Sequence, residues 1–152
     1  MGAVEDRLAE LGLEVPEVAK PVASYVPAVR TGSYVYTSGQ LPMRAGQLIA
    51  TGKVGAAVTA EDAATCARQC ALNALAAVKA ELGDLDAVRR VVKVVCFVAS
   101  EVSFTGQPQV ANGASDLLGH AFGEAGVHAR SAVGVPVLPM DAPVEVEIVV
   151  EV

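Results

Sequence analysis

The chain has little of what proteins that bind nucleic acids or span membranes are built from. Its 152 residues contain no tryptophan and only 4% aromatic residues, so a platform on which bases stack is not expected. Lysine and arginine number 11 against 17 aspartates and glutamates. This balance, with no basic cluster longer than Arg89-Arg90, weighs against a phosphate-backbone partner. No apolar run approaches the ~20 residues that span a bilayer, and the N-terminus lacks the pattern of a signal peptide. We therefore predict a cytoplasmic protein with no nucleic-acid or membrane partner.

Cysteine and histidine are also scarce. The three cysteines, Cys66, Cys70 and Cys96, cannot all pair within one chain, which fits a reducing compartment. Cys66 and Cys70 share one face of a predicted helix, either as half of a metal site or as small buried side chains. No histidine or second cysteine pair lies nearby, so the buried interpretation is favoured. His120 and His128 have no ligand spacing, and a surface role is favoured for both. We predict no metal site and no cofactor.

Hydrophobic residues make up 53% of the chain. A chain of this length suits one domain and can bury roughly two-thirds of its unfolded surface. The apolar surplus must enter a core or a subunit interface, which is a modest argument for an oligomer.

Local patterns predict an alternation of helices and strands. The predicted helices are residues 4–11, 59–83 and 109–124. The predicted strands are residues 22–30, 33–38, 47–50, 88–100, 131–137 and 144–151. The strand at 88–100 is apolar on both alternating sets, so helices or other subunits should cover both its faces. Helices and strands in this order on one sheet indicate an α+β or α/β layered domain.

The last twenty-five residues hold the candidate chemistry. In the final strand, valines and an isoleucine alternate with Glu145, Glu147 and Glu151, so the carboxylates point to one face. A guanidinium from Arg130 and a carboxylate on an adjacent strand would hold a small acid and a water. The plainer interpretation is a surface ion pair for Arg130 and a solvated sheet face for the glutamates. The alternation by itself does not separate Glu145 from Glu147.

A series of motifs in order along the chain resembles the RidA/YjgF family. The motifs are Ser24-Tyr25, Tyr36-Thr37-Ser38-Gly39-Gln40, Asn73, the run 92–98, Phe104, Asn112, Ala129-Arg130-Ser131, Leu138-Pro139 and Val144-Glu145-Val146-Glu147. The match runs from about residue 21 to the end. We therefore predict a helical extension and linker over residues 1–20 and a RidA-like domain over residues 21–152.

The resemblance implies a fold, an assembly and an activity. The fold is a chorismate-mutase-like α+β single domain, a mixed sheet with two helices packed on one face. Three copies form a trimer with sheets inside, helices outside and a ligand cleft at each subunit interface. The activity is hydrolysis of reactive enamines and imines, such as 2-aminoacrylate, to 2-keto acids and ammonia, without metal or cofactor. The implied partners are a small carboxylate-bearing imine or keto acid and two further copies of the chain.

The resemblance also implies site residues. Arg130 holds the substrate carboxylate, and Glu145, fifteen residues later, positions the attacking water. The predicted substrate-binding residues are Tyr25, Ser38, Gly39, Asn112 and Ala132. The family cysteine usually found two residues after the arginine is Ala132 here, so only a main-chain contact can act at that position.

Two other functions remain open at this point. The same cleft can belong to a non-catalytic module that binds a small carboxylate and reports it to a partner. An endoribonuclease, a label often attached to this family, is the third hypothesis, and the acidic charge weighs against it.

Overall fold

The structure is a computed structural model that describes residues 2–18, 20 and 24–152. Its helices are α1 (Ala3–Glu10), α2 (Ala60–Leu82) and α3 (Gln107–Phe122). Its strands are β1 (Ala28–Thr31), β2 (Tyr34–Thr37), β3 (Met43–Arg44), β4 (Gln47–Leu48), β5 (Arg90–Ala99), β6 (Ala129–Val135) and β7 (Val144–Glu151).

Five strands form one mixed sheet in the order β1-β2-β7-β5-β6. Strands β5 and β6 are parallel, and the other neighbours are antiparallel. Helix α2 packs on β7, and α3 packs on β5 and β6. The predicted mixed sheet with two helices on one face is therefore confirmed.

Three strand predictions need correction. The strand predicted at 47–50 is only Gln47–Leu48, and it pairs with Met43–Arg44 in a separate hairpin rather than in the main sheet. The strand predicted from residue 22 begins at Ala28, directly after Pro27, while residues 22 and 23 lie outside the described residues. Strand β6 ends at Val135, before Pro136, because proline cannot donate to a strand ladder.

The longest helix follows its local signals. The Oγ1 of Thr59 accepts a hydrogen bond from the amide of Asp62 at 3.1 Å, which satisfies a free donor of the first turn. Gly83 ends the helix with φ +84°, a conformation that glycine adopts readily. Helix α3 approaches α2 so closely that a Cβ added to Gly113 would lie 1.9 Å from the carbonyl oxygen of Ala64. The predicted helix is confirmed.

The sheet has a helix face and an open face. Alternate residues of β7, namely Val144, Val146, Ile148 and Val150, are buried under the helices. All three cysteines lie buried in the same core, as predicted. The remaining residues of β7 point to the open face, where strand register groups them with apolar side chains that are exposed or half-buried. That apolar group is Val29, Tyr34, Tyr36, Val95, Phe97, Val133 and Val149.

The N-terminal helix is attached to the same core. Val4 and Leu8 of α1 are buried, and the Arg7 guanidinium donates to the carbonyl of Ala121 at 3.1 Å. The carboxylate of Asp86 accepts from the amides of Ala3 at 2.9 Å and Val4 at 3.1 Å. These hydrogen bonds lower the pKa of Asp86. Helix α1 is thus docked on the domain, and the boundary between residues 20 and 21 stays a prediction.

Across the part of the chain that the structure describes, no helix has the length and apolar character needed to cross a membrane.

Candidate functional site

Arg130 lies on the helix face of the edge strand β6. It pairs in parallel register with Val94, which is buried beneath the helices. Its Nη1 donates to Asn112 Oδ1 at 2.8 Å and to Ser115 Oγ at 3.1 Å. Asn112 and Ser115 are three residues apart on α3, so they share one face of the helix. The structure therefore brings together the predicted site residues Arg130 and Asn112.

The hydrogen-bond network continues beyond Ser115. Its Oγ lies 2.8 Å from Nε2 of His128, and Nδ1 of His128 lies 2.6 Å from the carbonyl oxygen of Gly126. His128 is half-buried, so the surface role predicted for it is wrong, whereas His120 is exposed as expected. Sequence reasoning tested the histidines only as metal ligands. The available signal was the position of His128 two residues before Arg130, combined with a serine one helical turn after Asn112.

Ala132 lies on the same face as Arg130, two residues further along β6. It is half-buried and pairs with Cys96 of β5, so its methyl group packs against the core. Burial raises the pKa of the Cys96 thiol to about 12, although the charge of Arg130 acts to lower it. Cys96 is therefore a neutral core residue, and at Ala132 only the main chain is polar.

Glu145 lies on the open face of β7, in register with Phe97. A short bridge crosses beside it, since Gln40 and Val146 exchange backbone hydrogen bonds of 2.8 and 3.0 Å. The bridge brings Gly39 against the carboxylate so closely that a Cβ on Gly39 would lie 2.3 Å from Oε2 of Glu145. Only glycine leaves room for the carboxylate in this position.

Ser38 connects this region to the segment that carries Tyr25. Its hydroxyl donates to the carbonyl of Val26 at 2.6 Å, and its amide donates to the carbonyl of Pro27 at 2.8 Å. Tyr25, which precedes Val26, is 49% exposed. Four predicted site residues, Tyr25, Ser38, Gly39 and Glu145, are thus joined in one region.

The carboxyl group of Glu145 has a raised pKa. Burial is the larger cause and the charge of Glu147 is the smaller one, because both penalise the ionised form of the group. A carboxyl group with a raised pKa is better suited to accept and return a proton near neutral pH than an ordinary glutamate.

Arg130 and Glu145 do not face each other within one protomer. Strand β5 lies between β6 and β7, and the register places Arg130 on the helix face and Glu145 on the open face. The hypothesis that they stand on adjacent strands is therefore wrong, because strand order depends on pairing between distant segments. The protomer instead carries two separate groups of candidate residues, which we call half-sites. The arginine half-site is Arg130, Asn112, Ser115, His128 and Ala132, and the glutamate half-site is Glu145, Gly39, Ser38 and Tyr25.

Within the described ranges, no three or more histidine, cysteine, aspartate or glutamate side chains are grouped so that they could hold a metal ion. A guanidinium such as that of Arg130 can bind an anion, and a carboxyl group such as that of Glu145 can transfer a proton.

Comparison with known proteins gives consistent matches over nearly the whole chain. A family model described as "YjgF/chorismate mutase-like, putative endoribonuclease" matches residues 5–152. Protein TCP17 of Trypanosoma cruzi is 48% identical over 151 residues, which cover 99% of this chain and 94% of that protein.

Two solved structures are similarly close. A protein of unknown function from Agrobacterium tumefaciens is 46% identical with a TM-score of 0.92, covering 99% of this chain and 92% of that one. A structure from Shewanella oneidensis MR-1, described as a "putative endoribonuclease", is 35% identical with a TM-score of 0.96, covering 99% and 100%.

Proposed function

Because this chain belongs to the YjgF/chorismate mutase-like family, also called RidA/YjgF, we propose that it is an enamine and imine deaminase. It hydrolyses 2-aminoacrylate-type intermediates to 2-keto acids and ammonia. The observation that carries the proposal is which nitrogen of the Arg130 guanidinium forms hydrogen bonds. Among the described residues, its hydrogen bonds leave only from Nη1, so Nε and Nη2 remain for a substrate carboxylate. A guanidinium binds a carboxylate best through two parallel hydrogen bonds.

The reaction asks for positioning and proton transfer. The imine form of 2-aminoacrylate carries an electrophilic carbon next to its carboxylate. Glu145 orients a water and accepts one of its protons while the water oxygen bonds to that carbon. That proton passes to the nitrogen and gives a carbinolamine. Glu145 then moves the proton of the new hydroxyl group to the same nitrogen as the carbon–nitrogen bond breaks, so that the carbonyl forms and ammonia and the keto acid leave. The raised pKa of Glu145 supports this role, since a base tuned toward the working pH transfers protons most efficiently.

A complete site needs two copies of the chain. The half-sites lie on opposite faces of one sheet, so a substrate bound by Arg130 of one protomer meets Glu145 of another. The open face supports such an assembly, because it exposes Val29 by 51%, Tyr36 by 47% and Val133 by 45%. A contact between two different surfaces closes into a ring when the rotation allows it, and we propose the homotrimer.

The direct test generates 2-aminoacrylate in situ and follows its conversion to pyruvate. We expect the wild-type protein to accelerate the conversion. Arg130→Ala should lower kcat/KM on the order of 100- to 1,000-fold, the effect of losing two hydrogen bonds to a charged group. Arg68→Ala, which removes the same charge from α2, is the matched control and should leave kcat/KM unchanged.

Each other outcome has a defined meaning. No acceleration by the wild-type protein would make the deaminase proposal wrong, and pyruvate binding without turnover would favour the non-catalytic binding module. Equal acceleration by Arg130→Ala would make the site assignment wrong. RNA cleavage that persists through purification and disappears in Arg130→Ala would favour an endoribonuclease. The net charge of −6 weighs against that function.

A further inference from the structure

Hydrogen bonds connect Arg130 through Ser115 and His128 to Gly126, and each group in this series donates to the next. The carbonyl oxygen of Gly126 can only accept, so the Nδ1 of His128 that lies 2.6 Å away must carry a proton. In the neutral ring, Nε2 is then an acceptor, and the Ser115 hydroxyl at 2.8 Å donates to it. The lone pairs of the same hydroxyl remain for Nη1 of Arg130 at 3.1 Å.

This direction matters because a serine hydroxyl rotates freely unless a partner fixes it. On a helix it can also donate back to a carbonyl one turn earlier. His128 gives the hydroxyl proton one acceptor, and so turns the lone pairs toward Arg130. Asn112 Oδ1 accepts from the same nitrogen at 2.8 Å. Two acceptors on one helix face thus hold one edge of the guanidinium, and no residue that the structure describes forms a hydrogen bond with the opposite edge.

We infer that Ser115 and His128 are positioning residues, which hold the Arg130 guanidinium in the orientation that receives a carboxylate. The neutral, Nδ1-protonated form of His128 is the one that does so. An arginine side chain has many rotamers, so a guanidinium fixed before binding loses less freedom when the ligand arrives. The inference rests on the proposed carboxylate-binding role of Arg130, and its first test is independent of turnover.

The first test is nuclear magnetic resonance of ¹⁵N-labelled side chains in the full chain. The Nη groups of Arg130 should give separate, slowly exchanging signals, assigned by their loss in Arg130→Lys. The ¹⁵N shifts of His128 should report the Nδ1-protonated ring. Ser115→Ala and His128→Gln should merge or broaden the Arg130 signals, because rotation about the Cζ–Nη bonds becomes free. His120→Gln, which changes the exposed histidine near the end of α3, should leave them in place.

The second test separates binding from chemistry. Ser115→Ala and His128→Gln should each weaken pyruvate binding about tenfold, the effect of one hydrogen bond to a charged group. The KM for the enamine substrate should rise by a similar factor. Both variants should change kcat less, because Glu145 lies on the other face. Ser115→Thr keeps a hydroxyl and should restore most of the affinity. A variant that only destabilised the fold would lower Tm without this split between KM and kcat.

The results distinguish this inference from the proposed function. Separate Arg130 signals that persist unchanged in both variants would overturn the inference, as would an unchanged Kd for pyruvate. Averaged Arg130 signals in the wild-type protein would overturn it as well. A wild-type protein without turnover, whose Arg130 signals respond to Ser115→Ala, would contradict the deaminase activity and support the positioning role.

Discussion

The surroundings of the charged group differ between the two half-sites. The Arg130 guanidinium has neutral acceptors from α3 at 2.8 and 3.1 Å, which fix its direction. The Glu145 carboxylate is pressed against the backbone of Gly39 and shares its face with Glu147. Burial and the neighbouring charge penalise its charged form. In the proposed function, the arginine half-site holds an anion and the glutamate half-site takes up a proton.

This difference fits a division of work between binding and chemistry. A binding cation gains affinity when its orientation is fixed in advance. A catalytic carboxyl group gains reactivity when its environment disfavours its charge, at some cost in stability. One local environment cannot both favour a fixed cation and disfavour a carboxylate. Because the two groups lie on separate faces of the sheet, each has its own surroundings. The predictions below test this separation.

The largest effect is expected from mixing two inactive variants. Arg130→Ala retains the glutamate half-site, and Glu145→Gln retains the arginine half-site. If each cleft takes one half-site from each of two neighbours in a ring, random mixing restores both residues in about a quarter of the clefts. Deaminase activity should therefore rise from near zero to about a quarter of the wild-type level after subunit exchange, measured as pyruvate release.

The control mixes Arg130→Ala with the double variant Arg130→Ala/Glu145→Gln, in which no cleft contains a wild-type arginine. That mixture should stay inactive. A mixture of the two single variants that stays inactive after demonstrated subunit exchange would show that both residues act within one protomer.

A smaller loss is expected from Gly39→Ala. The added Cβ would lie 2.3 Å from Oε2 of Glu145, so the carboxylate must move. A displacement near 1 Å at a reacting group costs on the order of 100-fold in rate. We expect kcat to fall by roughly that factor while the Kd for pyruvate changes little, because Arg130 is untouched.

Gly119→Ala is the matched control, since a Cβ at this helical position meets nothing within 4 Å. It should leave kcat unchanged and stabilise α3 slightly. Equal kcat values for Gly39→Ala and the wild-type protein would contradict the proposed role of Glu145.

The smallest effect concerns stability and pH. The folded protein holds the Glu145 proton to a higher pH than the unfolded chain, whose ordinary pKa is 4.5. Below that value both states are protonated and no penalty exists. As the pH rises through the folded pKa, the wild-type protein loses stability that Glu145→Gln retains. Because the group is only partly buried and solvent screens it, the Tm of Glu145→Gln should exceed that of the wild-type protein by about 1–2 °C at pH 7.

Thermal unfolding at pH 4 and pH 7 measures this difference, which should vanish at the lower pH. Glu147→Gln, on the same strand and face, removes only the smaller cause of the raised pKa and should gain less. A Tm difference for Glu145→Gln that is the same at both pH values would contradict a raised pKa for Glu145.

Local sequence signals identified much of the fold. Thr59 and Gly83 mark the ends of α2 because a cap and a left-handed residue act within one turn of the helix. Alternation in residues 144–151 predicted β7 and its two faces. The limits of β1 and the separate Met43–Arg44 hairpin were missed, because strand limits depend on which distant segment supplies the partner.

For the candidate site, the sequence motifs named Arg130, Asn112, Glu145 and Gly39. The structure places Asn112 beside Arg130 and Gly39 beside Glu145, on opposite faces of the sheet. Ser115 and His128 were missed, because their spacing from Asn112 and Arg130 acquires a meaning only once α3 is known to pack on β6.

The sequence by itself determined the helices, the last strand, the buried cysteines and the family, since each depends on periodicity, short-range capping or motif spacing. Only the tertiary structure decided that β5 separates Arg130 from Glu145 and that the two point to opposite faces. It also decided that His128 contacts Ser115, the hydrogen-bond partner of Arg130. Such relations follow from strand order, register and helix packing, which are set by contacts between residues far apart in the chain.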